Sequence, residues 1–243
     1  MLAELPVEEY SAVLDEVAAG VLADSAIVGP PVDPFRLARA MGITVAEDAG
    51  QTGRARYVRL GGRHGHRLLP TVLLRPEDRP ERSHWALAHE IGEHLAHRVF
   101  GELNVSPREA PCNARESVAN HLAGRLLVPT LWFLEDGTNC DWDLPRLKAR
   151  YLTASHELLA RRMLDLPPRV IVTIVDKGRT YLRCSNLPGS VPPMAEVERE
   201  CQRRVTKEGG SVKQTQPPVR VQAWAVHEPD WKREILRTEM DVW

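Results

Sequence analysis

Apolar positions at Val7, Tyr10, Val13, Leu14, Val17 and Val21 recur at helical spacing and predict an amphipathic helix over residues 7–23. Gly29-Pro30-Pro31 breaks that pattern. Asp33-Pro34 then opens a short second helix through Met41, with Asp33 as N-cap, Pro34 in the first turn and Gly42 as the stop. From Ile43 the period shortens: residues 43–46 read as a strand, and 54–60 and 67–74 flank the glycine-rich 61–65 as a hairpin. Helical patterning returns over residues 83–99, capped by Ser83, and over 115–128, ended by Pro129, with a loop at 107–111 between them. Residues 144–151 and 155–164 form a helical pair, the second capped by Ser155 and apolar at Leu158, Leu159 and Met163.

Pro167-Pro168 marks a change of texture. Residues 170–175 and 180–184 read as strands paired across Asp176-Lys177-Gly178, a hairpin signal. A helix is expected around 194–205, then a linker at 207–218. Pro217-Pro218 introduces a strand over 219–226, and Glu228-Pro229-Asp230 turns into another over 232–238. No internal repeat is evident.

Composition narrows the class. With 243 residues, 43% hydrophobic and 27% charged, the chain is an ordinary globular protein with room for a main domain and a smaller one. No apolar run approaches a membrane span and residues 1–10 carry no basic leader, so a cytoplasmic protein is expected. Cys112, Cys140, Cys184 and Cys201 are scattered and read as reduced thiols. A net charge of −1 excludes a global field for nucleic acid. Locally, residues 1–34 carry only acids, whereas 49–76 carry six arginines and no acid: a solvated surface, or a docking surface for an acidic partner.

The chemistry concentrates in Ala88-His89-Glu90-Ile91-Gly92-Glu93-His94. Zinc peptidases place two histidines four apart on a helix with a glutamate between them as general base. Here His89 and Glu90 fit, but the second ligand position is Glu93 and a histidine follows at His94. On a helix His89 and Glu93 lie about 40° apart and one turn up, close enough to share an ion, with Glu90 beside them. Glu116, opening the next helix, is the candidate third ligand. His94, about 140° from His89, reaches the same face only through a π-type turn. Glu90-x-x-Glu93-His94 also reads as an inverted H-x-x-E-H motif with its first histidine replaced. A His, Glu, Glu set leaves bound Zn²⁺ without net charge, weakening its polarisation of water and leaning the site toward harder ions such as Mn²⁺.

Four blocks in order carry a family resemblance: Asp33-Pro34 to Met41-Gly42-Ile43; Arg82-Ser83-His84-Trp85-Ala86-Leu87-Ala88-His89-Glu90-Ile91-Gly92; Glu116-Ser117-Val118-Ala119-Asn120-His121 with Leu126-Leu127-Val128-Pro129; and Asp143-Leu144 through Tyr151-Leu152-Thr153-Ala154-Ser155 to Leu166. Over residues 31–166 the chain resembles the ImmA/IrrE family of metallo-endopeptidases, a gluzincin-like group. The resemblance implies an α+β fold: a zincin-like helical domain with a small antiparallel sheet over residues 31–166, preceded by an N-terminal helix over 1–30. Residues 168–243 lie outside it and read as a small C-terminal α+β module. It further implies a bacterial enzyme of transcription regulation and stress response that cleaves a transcriptional repressor. By position, His89 would be the first ligand, Glu90 the base and Glu116 the third ligand of Zn²⁺, with Mn²⁺ the other candidate. Glu93 stands where the family has histidine. His97, about 12 Å along the axis from His89, is too far to ligate and should pack or hydrogen-bond.

Two other classes compete. One is a catalytically weak or inactive relative acting as a binding or sensor protein. The other is a DNA-binding regulator using residues 144–164 as a helix-turn-helix, with Arg146, Lys148, Arg150, Arg161 and Arg162 for phosphates. His64, His66, His84 and His121 are read as surface or supporting residues.

Overall fold

The computed structural model describes residues 6–61, 68–106, 113–228 and 230–240. His64, His66, Cys112, the loop at 107–111 and the tip of the first hairpin lie outside them. Helices and two small sheets make an α+β fold, in two compact units: Met1–Phe133 with Arg150–Ala154, and Leu134–Ala149 with Ser155–Trp243.

In the first unit α1 (Val7–Asp24) buries Leu14, Val17 and Val21 of the predicted stripe together with Ala18 and Leu22, whereas Val7 is exposed. Asp33 caps α2 (Pro34–Ala40) by accepting the Phe35 N–H at 2.8 Å. Strands β1 (Thr44–Glu47), β2 (Ala55–Gly61) and β3 (Leu68–Leu74) form a sheet of order β1-β3-β2. The hairpin is antiparallel as expected, but β1 joins β3 in parallel, so the sheet is mixed. Its connection to β2 lets β1 reach the far side of β3, which leaves β2 as an edge.

Helix α3 (Pro80–Glu102) begins three residues before the expected cap. Pro80, with its preset φ, takes the first helical position, so Ser83 lies inside the first turn and caps nothing. Helix α4 (Ala114–Leu127) packs along α3, and Leu87, Ile91, Leu95 and Val99 meet Val118, Leu122 and Leu126 in a core shared with α1. Buried Arg125 is matched by Asp15 at 2.8 Å. The two helices approach most closely at Gly92: a Cβ there would sit 2.5 Å from the Ala119 carbonyl oxygen. Only glycine permits that approach.

Helix α5 (Thr130–Asn139) follows Pro129 and was not legible in the pattern. Helices α6 (Leu144–Arg150) and α7 (His156–Arg162) are the expected pair, with Ser155 capping α7 through the Leu158 N–H at 3.1 Å. Arg161 pairs with Glu157, and Arg162, 3% exposed, pairs with Asp165. Two of the five basic groups assigned to DNA phosphates are therefore already neutralised.

The second unit carries β4 (Val170–Asp176), β5 (Arg179–Ser185), β6 (Ser211–Gln216), β7 (Val219–Ala225) and β8 (Arg233–Met240) in an antiparallel sheet of order β5-β4-β8-β7-β6. Lys177 and Gly178, both at positive φ, make the tight β4–β5 turn. Helix α8 (Glu196–Glu208) lays Val197, Cys201 and Val205 against Val175, Val212, Val221 and Leu236. Half of the expected linker at 207–218 is strand β6. It pairs fully with β7 but offers a single buried apolar residue, Val212, as an edge strand can.

Candidate active site

Helix α3 is regular through the motif, so His89 and Glu93 share a face. The Gly92–Ala119 contact brings α4 close enough for Glu116 to join them. Donor atoms of His89, Glu93 and Glu116 all lie within 4.8 Å of one another. The His89 Nε2 is 3.5 Å from a Glu116 oxygen, and its Nδ1 is 3.1 Å from Asn120 Oδ1. Asn120 in turn donates from Nδ2 to Glu116 at 3.2 Å. One side chain therefore orients two of the three donors. An imidazole that gives its Nδ1–H to Asn120 keeps the Nε2 lone pair for a cation. One imidazole and two carboxylates suit Zn²⁺ or Mn²⁺, so the residues present fit a divalent metal.

Glu90 is buried beside this cluster, 9% exposed, and accepts the Tyr57 backbone N–H at Oε2, 2.7 Å away. Burial pushes its carboxyl above the usual carboxylate range; the Tyr57 N–H opposes this, and the Glu93 charge adds to it. The donating N–H belongs to edge strand β2, on the side that β3 does not use. Arg115 lies 3.7 Å from a Glu93 oxygen.

His94 lies outside the donor cluster. α3 has no π-type turn, and the His94 ring packs against Tyr57 at 5.3 Å and His97 at 6.2 Å. Burial first, then the positive charges of His97, Arg59 and Arg98, hold the His94 pKa below its ordinary value. His97 bonds the His94 carbonyl through Nδ1 at 2.8 Å, inside its own helix. His84 packs edge-on against Phe35, and His121 meets the Tyr10 hydroxyl at 3.1 Å.

Asn120, the Tyr57 amide, Gly92 and Arg115 were not singled out from sequence. Asn120 had one available signal: it lies four residues after Glu116, on the same helix face.

The helix pair sets one imidazole and two carboxylates beside a buried glutamate, the donor chemistry of a candidate metal centre. Residues 38–164, just over half of the chain, match Peptidase_M78, the IrrE N-terminal-like domain, and the chain belongs to that family. The match runs from within α2 to just beyond α7 and bears out the resemblance read from the four blocks. A Mycobacterium tuberculosis transcriptional regulator of known structure is similar in fold, with a TM-score of 0.62 and 18% identity; the alignment covers 96% of this chain and 81% of that one. No curated protein sequence matches. Among the described residues no helix is long and apolar enough to cross a membrane.

Proposed function

We propose that the chain is a metal-dependent endopeptidase, with His89, Glu93 and Glu116 as metal ligands and Glu90 as general base. The observation that carries this reading is the convergence of three donors on one point beside a buried glutamate. A bound Zn²⁺ or Mn²⁺ supplies Lewis acidity toward a peptide carbonyl and lowers the pKa of water. Glu90 takes the proton of the attacking water and passes it to the leaving amide nitrogen. The Tyr57 N–H fixes Oε2, leaving Oε1 to handle that proton. Edge strand β2 offers backbone groups along which an extended substrate can lie next to Glu90. A transcriptional repressor as substrate rests on the family resemblance, and a cytoplasmic location on composition.

Two expected outcomes follow from the ligand roles. Glu93→His raises Zn²⁺ affinity about tenfold or more by restoring a softer donor and removing one carboxylate. Competition with a chromophoric chelator measures it; unchanged or weaker binding would mean that residue 93 is not a ligand. Asn120→Ala lowers affinity about 10- to 100-fold, because both His89 and Glu116 lose their orienting partner. The same titration reads it, and wild-type affinity in that variant would contradict the orienting role.

A second reading, a weak or silent family member that binds a partner, is favoured by Glu93. Two carboxylates with a histidine cancel the charge of a divalent ion and blunt its acidity. Arg115 beside Glu93 offsets part of that negative charge and speaks for activity.

A further inference from the structure

Past the donor cluster, the edge strand and the motif helix carry arginines without an ion-pair partner among the described residues. Strand alternation puts Arg59 on the same face of β2 as Tyr57, whose ring meets His94. Helical spacing puts Arg98 one turn beyond His94 on the same side of α3. Both are exposed, and among the described residues neither has a hydrogen-bond or ion-pair partner. Glu102, one turn beyond Arg98, is exposed and forms no ion pair with it. In the same unit Arg54, Arg75 and Arg82 converge on Glu77 and Arg125 meets Asp15, while Arg39 and Arg56, also exposed, share with Arg59 and Arg98 the lack of an ion pair among the described residues.

We propose that Arg59 and Arg98 form a specificity subsite for an acidic side chain of the substrate, a reading that rests on the endopeptidase assignment. The Tyr57 amide bonds the base, which fixes where along β2 the chemistry lies. A strand rises about 3.4 Å per residue, so Arg59 lies about 7 Å along the edge from Tyr57. An extended segment beside β2 thus brings an aspartate or glutamate about two to four residues from the scissile bond into reach of both guanidiniums. Continuity with the peptide-binding edge favours a protein ligand over a nucleic acid.

The test is fluorescence anisotropy of labelled serine- and glutamine-based decapeptides bearing acidic, basic or no charges. The full chain carries Glu90→Gln, so that no peptide is consumed. The acidic peptide binds about five- to tenfold tighter than the neutral one, as two exposed ion pairs allow. The preference fades in about 0.5 M salt. Arg59→Glu with Arg98→Glu, both at exposed positions, transfers it to the basic peptide. Equal binding of all three, no detectable binding of the acidic peptide, or an unchanged order after charge reversal overturns the subsite. So does a single-stranded oligonucleotide that binds tighter than the acidic peptide and is lost on the same reversal, which would mark a phosphate site. Because the readout is binding, the two readings fail separately. Acidic preference without hydrolysis by the wild type would retire the peptidase assignment alone; charge-blind cleavage of all three peptides would retire the subsite alone.

Discussion

Glu90→Gln removes peptide hydrolysis while leaving fold and cation affinity in place. General-base catalysis contributes about 10²- to 10⁴-fold, and the amide cannot accept the proton of water, so turnover falls by at least that range. The substitution is isosteric, and its carbonyl oxygen can still accept the Tyr57 N–H. A neutral group also suits the buried position better than a charge, so thermal stability stays level or rises slightly. Mass spectrometry of a peptide mixture with wild type and variant checks the rate, and a melting curve checks the fold. Metal-dependent cleavage at the wild-type rate in the variant would remove Glu90 from the chemistry.

Gly92→Ala is expected to cost about 2–4 kcal/mol, because the new Cβ meets backbone rather than a side chain that can swing aside. It would lie 2.5 Å from the Ala119 carbonyl oxygen and 3.1 Å from the Ala119 Cα. Relief requires α3 and α4 to move apart along the contact that brings Asn120 to His89, so metal affinity falls with stability. The melting temperature should drop by on the order of 10 °C. An unchanged melting temperature would mean that the close approach at Gly92 does not hold these helices in register.

The sequence was most readable where one local signal decides the outcome. α1 follows from its apolar stripe, α2 from Asp33-Pro34, α7 from Ser155, and the β4–β5 hairpin from Lys177-Gly178. α5 escaped because Pro129 reads as an ending as readily as a beginning, and Gly137, Thr138 and Asn139 are poor helix formers. It is set instead by tertiary contacts: Phe133 is fully buried, and Gly137 lies against the Trp142 ring. β6 escaped because an edge strand with one buried apolar residue lacks the alternation that marks a strand. In the candidate site, the placing of His89 and Glu93 follows from helical geometry alone. The partners from other elements do not: Asn120 lies 31 residues from His89 and Tyr57 lies 33 from Glu90. Such pairs exist only once α4 and β2 have packed on α3. The position of His94 was open in sequence because a π-type turn was open; the regular helix and the Tyr57 ring account for where it lies.

Elemental mass spectrometry shows whether His89, Glu93 and Glu116 hold a metal ion. The protein is purified without added metal, then dialysed against Zn²⁺ and Mn²⁺, with His89→Ala alongside. About one ion per wild-type chain is expected, lost in the variant, since a set reduced to two carboxylates cannot retain it. No ion in either protein, even after dialysis, would contradict that ligand set.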